Sequence, residues 1–341
     1  MSFKTRVFIK QAAEKSRALR IAYIILSTLR TRLRFALGSI ASLSGSTYHH
    51  LTVEQSLAYI NLVFQDFLDY GGLNEKNLAG KRFLELGPGD NVGVALRLLA
   101  LGAREAVCVD KFYSTHDIEH ERRIYLALRE QLSARERELF DQAVTLEPTL
   151  VFNPEKIRYV YGVGAQDADR VLEPQSFDLI LSRAVLQEIY EIDRAFACMD
   201  RLLRPGGSMV HKIDLRDYGM FSSCGFHPRE FLTISDPLYY LMASDTDKPN
   251  RRMLDYYRDK MGQMGYQAQL YIVGVVEEDA YRAVQTEIRP HKTSLEYKVD
   301  YGDRHVSSIQ RIRPRLAARF HRLTDEDLLA AGLFLVATKP R

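Results

Sequence analysis

The chain has 341 residues, 46% of them apolar and 27% charged, which are the proportions of a globular protein able to bury a core without disulfide or metal staples. A formal net charge of +3 gives no electrostatic case for nucleic-acid binding. Three cysteines, Cys108, Cys198 and Cys224, are too few and too widely spaced for a disulfide framework or a zinc site, so no metal is expected and a reducing, cytoplasmic setting fits.

The charge is concentrated at the start of the chain. Lys4, Arg6, Lys10, Lys15, Arg17, Arg20, Arg30, Arg32 and Arg34 stand against a single acid, Glu14. Leu19, Ala22, Leu26, Leu29 and Leu33 recur at three- and four-residue steps, so a helix here carries an apolar stripe with Arg17, Arg20, Arg30 and Arg34 mostly opposite. Residues 1–50 are expected to form this basic amphipathic arm. The apolar run falls well short of the roughly 20 residues that span a bilayer. Two readings remain: the stripe packs on the protein's own core or a second copy, or the helix lies on an anionic membrane. Small turn formers over 45–52 mark a boundary, and Thr52 is placed to cap a helix beginning at Val53.

Phe83-Leu84-Glu85-Leu86 then reads as a strand, Gly87-Pro88-Gly89 as a tight turn, and Val94 to Leu99 as a helix. Glycines there let a ligand lie against the main chain, and the free N–H groups of the next helix suit an anionic group. A dinucleotide fingerprint needs a third glycine where this chain has Val92, which weakens a nicotinamide reading. Ala106 to Asp110 is the next strand, and its terminal carboxylate sits at the distance along the chain expected of a ribose ligand. Glu119 to Val144 reads as a charged helix with a solvated face and no assigned chemistry. A third strand covers Arg158 to Gly162, and a fourth lies in Ser176-Phe177-Asp178-Leu179-Ile180 and onward. A helix ends in Leu202-Leu203-Arg204-Pro205-Gly206-Gly207 before a fifth strand, Ser208 to Asp214.

A glutamate-led glycine turn, an acid after the second strand, an SFDLI fourth strand and an LRPGG turn before the fifth, in this order, resemble the class I S-adenosylmethionine-dependent methyltransferases. The resemblance spans residues 55–275 and the last strand. It implies an α/β fold: a Rossmann-like, doubly wound, seven-stranded sheet, here with an N-terminal helical arm and a substrate-side insertion. Residues 51–216 would be the cofactor-binding core, 217–265 the insertion and its helix, and 266–341 the final strands with a basic connection. Glu85, Gly87, Pro88 and Gly89 would form the first cofactor motif, Asp90 and Asn91 would lie beside the methionine part, and Asp110 would hold the ribose. Gln166 or Asp167, with Asp167 preferred, would meet the adenine amine, and Ser182 and Arg183 would line the pocket. Where the family often has Leu-Glu-His-Val, this chain has Leu186-Gln187-Glu188-Ile189, so a role for the usual histidine does not carry over.

Residues 217–250 break the alternation with turn formers and aromatics, and a helix opens at Asn250 and ends at Gly262 or Gly265. Leu270 to Val276 and Ala331 to Thr338 read as the last two strands. Between them lies a polar stretch with Arg311, Arg313, Arg315 and Arg319.

Candidate catalytic groups fall in His211-Lys212-Ile213-Asp214-Leu215-Arg216-Asp217, which runs out at the carboxyl end of the fifth strand. Alternation puts His211, Ile213 and Leu215 on one face and Lys212, Asp214 and Arg216 on the other. Asp214, Asp217 and His211 are the candidate bases, with a buried ion network as the competing reading. Glu188 reads as a solvent-exposed glutamate or as an acceptor-facing one, and His227 as a loop residue or a substrate contact. The expected activity is methyl transfer from S-adenosylmethionine to a hydroxyl of a small-molecule or glycan substrate. Peripheral contact with an anionic membrane and a homo-oligomer are further expectations. The alternatives are a scaffold that has kept the fold without the chemistry and a nicotinamide-dependent oxidoreductase. The HKIDLRD string resembles, more loosely, bacterial methyltransferases of surface-polysaccharide or secondary biosynthesis.

Overall fold

Phe83 and Leu84 are neighbours on one strand and both are fully buried, so the sheet that holds them is covered on both faces. The computed structural model describes residues 16–38, 41–42, 50–114, 116–244, 246–276, 291–293 and 303–341. Lys4, Arg6, Lys10, Glu14 and Lys15 of the expected arm, and most of the expected boundary at 45–52, lie outside the described residues.

The chain enters through helix α1 (Arg17–Ala36), a two-residue strand β1 (Ala41–Ser42) and helix α2 (Val53–Asp69). Thr52 accepts from the Gln55 amide while the Gln55 side chain accepts from the Thr52 amide, the reciprocal cap that fixes where α2 begins. Then come β2 (Arg82–Leu86), α3 (Gly93–Ala100), β3 (Glu105–Asp110) and β4 (Tyr113–Ser114), which pairs with β1. The charged segment is two helices, α4 (Ile118–Glu130) and α5 (Ala134–Ala143), where the sequence suggests one. Ser133 and Glu136 form a second capping box, which restarts the helix in a new direction. The chain continues through β5 (Ile157–Tyr161), β6 (Phe177–Arg183), α6 (Ile192–Leu202) and β7 (Leu203–Asp214). Pro205-Gly206-Gly207 lies inside β7 as an irregularity, between the pairings Phe177 to Leu203 and Leu179 to Ser208, and so does not precede the strand.

Helices α7 (Asp236–Ala243) and α8 (Leu254–Gln263) precede β8 (Gln267–Val275). A short edge strand β9 (His291–Thr293), helix α9 (Asp303–Ile312) and β10 (Ala330–Thr338) complete the chain. Helix α8 starts four residues later than Asn250 because Arg251 has a left-handed backbone, φ +60°, and donates to the Phe231 and Ile234 carbonyls.

The sheet runs β9-β8-β10-β7-β6-β2-β3-β5. Pairings from β5 to β7 are parallel, and β7-β10, β10-β8 and β8-β9 are antiparallel. This is the expected seven-stranded arrangement with β9 added at one edge. Leu84, Leu86, Val109, Ile180 and Ile213 pack under α6, α7 and α8, whereas Phe83, Cys108, Leu181, Val210 and Phe334 pack under α2 to α5. The basic connection is internally neutralised: Arg313 pairs with Asp325, Arg315 with Glu230 and Arg319 with Asp236.

Helix α1 turns its leucine stripe outward, so the stripe does not pack on the protein's own core. Ile24 and Thr28 are its buried residues, while Leu26 is 67% and Leu33 61% exposed. Arg17 donates to Thr233 and pairs with Glu230, Arg20 donates to the Met220 and Gly219 carbonyls, and Arg32 to those of Ser244 and Tyr240. The helix is therefore docked by a mixed face: Ile24 is buried in the core with Ile21 and Ile25 packed beside it, and Arg17, Arg20, Thr28 and Arg32 donate to the groups around them.

Candidate functional site

The parallel strands β2, β3 and β6 end on one side of the sheet, and a cavity of ≈ 270 Å³ opens there. This is where an open α/β sheet leaves room for a ligand, at strand ends whose connections diverge to opposite faces. Glu85, Gly87, Pro88, Gly89, Asn91 and Asp110 all line it, as do Gln166 and Arg183.

The glycine turn has the backbone that its sequence requires. Gly87 and Gly89 have φ of +67° and +72°, and a Cβ on Gly87 would stand 2.4 Å from the Val185 side chain. Asp110 ties the turn to the next loop: it accepts from the Gly89 amide at 3.3 Å and from the Phe112 amide at 3.0 Å. Burial raises its carboxyl pKa above the ordinary range, against those same donors. Glu85 is pushed up to about 8 by burial, next to the Cys108 thiol. Asn91 accepts from Gly93 at 2.7 Å, yet its side-chain nitrogen is buried with no partner. An unmet donor and a carboxylate at the head of a glycine turn are what an adenosine-type cofactor with an amino-acid tail would satisfy. On this count the residues present fit S-adenosylmethionine.

Other expected site residues lie elsewhere. Asp90 is buried but does not line the cavity. Asp167 is engaged by Arg194 and Arg170, so the position facing the cavity is Gln166 and not the preferred Asp167. Ser182 and His211 are fully buried against each other, 2.8 Å from Oγ to Nδ1, within the core beneath the helices. Burial holds the His211 imidazole down at about 3, so it is neutral and cannot reach a ligand. Asp214 is clasped by Arg216. Asp217 accepts from the amides of Gly219, Phe221 and Ser222 and from the Ser222 hydroxyl, leaving no lone pair directed at a substrate. His227 bridges Ser308 and the Arg229 amide and does not touch the cavity. The bases expected on β7 are thus structural, because strand parity tells which face a side chain takes but not what covers that face.

The cavity is also lined by Glu188 together with Tyr59, Phe112, Tyr190 and Thr246. Burial and the nearby Asp247 push the Glu188 carboxyl up to about 8, with a Tyr218 hydrogen bond pulling the other way. Tyr218 has a left-handed backbone, φ +51°, and its hydroxyl accepts from Gln187. The turn that carries Glu188 is pinned by Asn250, whose side chain donates to the Leu186 and Ile189 carbonyls at 2.8 Å each. Its amide donates to the Gln187 carbonyl at 2.6 Å. The aromatic lining and Asn250 had no local signal in the sequence; Glu188 had one, its place just past the carboxyl end of β6.

A family model described as a methyltransferase domain matches residues 58–268. No curated protein matches the chain. Solved structures similar to it include phosphoethanolamine N-methyltransferase 2 of Haemonchus contortus in complex with S-adenosyl-L-methionine, at 15% identity and TM-score 0.40. That alignment covers 82% of this chain and 53% of the other, so the chain spans about half the length of that relative. The YcgJ protein of Bacillus subtilis is similar at 13% identity and TM-score 0.41, over 83% of this chain and 99% of its own.

Proposed function

The chain belongs to the class I S-adenosylmethionine-dependent methyltransferases, and from that premise we propose that it methylates a hydroxyl group of a small-molecule or glycan acceptor, with Glu188 as the base. The observation that carries this reading is Glu188 in the wall of the cavity that Asp110 also lines, on a turn that Asn250 fixes.

The bound cofactor supplies a methyl group on a sulfonium. The glycine turn and Asn91 would hold its amino-acid end, Asp110 its ribose and Gln166 its adenine. A cofactor bound there would supply the methyl group to the acceptor oxygen and keep the electron pair of the carbon–sulfur bond that this transfer breaks, while this chain's residues hold the acceptor in line. The hydroxyl proton passes to the Glu188 carboxylate. Much of the acceleration in such a transfer comes from holding the reacting atoms in line, which the aromatic walls and the pinned turn support. A carboxyl tuned toward neutrality is a better proton acceptor than an ordinary one, provided that it is ionised.

Activity should therefore rise with pH as Glu188 ionises, with a midpoint at or below about 8 once the cationic cofactor is present. Glu188→Gln should remove that rising limb and lower kcat by on the order of 10²–10⁴. Steady-state rates across pH, with purified enzyme and a panel of hydroxyl and amine acceptors, provide the test. An unchanged kcat and an unchanged pH slope would overturn the base assignment. A variant that loses only KM, and only for cationic amines, would assign Glu188 to charge recognition instead.

A further inference from the structure

Helix α1 turns its isoleucines inward and its leucines outward. Leu19, Leu26, Leu29, Leu33 and Leu37 are 50%, 67%, 47%, 61% and 78% exposed, and Tyr23 is 41% exposed. They lie along one side of a helix whose other side is fixed to the body by Arg17, Arg20, Thr28 and Arg32. Arg30 and Arg34 are exposed among these leucines, and residues 15–53 contain no Asp or Glu. A continuous apolar stripe of this size is unusual on a surface that meets only water.

We propose that α1 is an anchor for an anionic lipid surface: its leucines enter the acyl boundary while Arg30 meets lipid phosphates. The charge pattern favours this occupant over a second copy of the chain. A second copy seated on the stripe would have to enclose Arg30, and this helix, with no Asp or Glu over residues 15–53, brings no acid to meet it. A bilayer bearing anionic headgroups offers the apolar depth and the counter-charge together. The anchor also touches the cavity wall. Phe35 stacks on Phe112 with ring centroids 5.0 Å apart, and Arg32 lies over Tyr240, which packs edge-on against Tyr190. Phe112 and Tyr190 both line the cavity. Docking through α1 would therefore set the site beside the lipid–water boundary, where it would meet an acceptor carried on lipid. No described helix is long and apolar enough to cross a membrane, so the contact proposed is peripheral.

The full chain should co-sediment with vesicles of phosphatidylcholine plus phosphatidylglycerol, bind far less to phosphatidylcholine alone, and be released by salt. The double variant Leu26→Glu, Leu33→Glu should weaken that binding by about tenfold or more, while calorimetry shows S-adenosylhomocysteine affinity unchanged. Both substitutions fall on exposed positions, and the calorimetric readout reports directly that the fold is intact. Equal binding to both vesicle types, or an undiminished double variant, would overturn the proposal. So would a wild-type dimer in sedimentation velocity that the double variant dissolves, since the stripe would then be a protein interface. Failure of S-adenosylhomocysteine to bind the wild-type chain would count against the cofactor assignments alone, because the vesicle assay does not depend on them.

Discussion

Asp110 and Glu188 are carboxyls in one cavity, and their neighbours give them different work. Asp110 ends a strand and receives two backbone amides, so it is fixed in place and offers its remaining lone pairs to a ligand. Asp110→Asn keeps the shape but removes the charge and turns one acceptor into a donor. S-adenosylhomocysteine binding should weaken by about 1.5–3 kcal/mol, the worth of a hydrogen bond to a charged group; calorimetric affinity equal to that of wild type would remove Asp110 from the cofactor site. Asp110 and the glycine turn were legible in the sequence because strand, turn and helix are consecutive in the chain and their spacing is local. Glu188 was ambiguous because what acts on it, Tyr218, Asp247 and the turn that Asn250 pins, is set by residues remote in sequence. His211 and Asp217 looked reactive because a histidine and a carboxylate near a strand end suggest chemistry. In the structure His211 lies fully buried against Ser182, and the Asp217 carboxylate accepts from the amides of Gly219, Phe221 and Ser222.

Among elements, the turn after β6 and helix α1 depend most on contacts that cross the chain. Asn250→Ala would leave the Leu186 and Ile189 carbonyls without that donor, destabilising the protein by about 1–3 kcal/mol. The Glu188 carboxyl would also drift. The expected signature is a kcat reduced by roughly tenfold to a hundredfold, as for a small misplacement of a reacting group, with a shifted pH midpoint and cofactor affinity held. Loss of kcat and affinity in equal measure would mean general unfolding and no positioning role. Helix α1 was legible as a helix with two faces, since periodicity reports that directly. Which face would dock was not, because the usual rule puts leucines inward. Here the body presents carbonyls of Gly219, Met220, Tyr240, Met242 and Ser244 that only arginine and threonine donors can meet. The break between α4 and α5 was written in Ser133 and Glu136, a capping pair that a charge-run reading passed over.

At the scale of the molecule, alternating strands and helices sufficed for the parallel half of the sheet, since each crossover follows in order along the chain. The antiparallel half was legible only through family resemblance, because β10 pairs with strands on either side that lie far back in the sequence. The family match also favours a methyltransferase over the nicotinamide alternative. That topology has a consequence for how the protein is made. Strand β10 sits between β7 and β8, in register from Leu333 against Ile213 to Thr338 against Gln267. A ribosome thus releases β7 and β8 while the strand that must join them is still unsynthesised, and each emerges with a bare edge able to recruit other chains. A chain stopped before Ala330 should accumulate as aggregate, measured as the insoluble fraction after expression, whereas adding residues 330–341 back should restore solubility; a soluble truncation would show that the nascent half-sheet protects its own edges. The glycine turn, Asp110 and Glu188 all leave the ribosome long before β10, so the groups to which we assign methyl transfer are made well before the sheet can close.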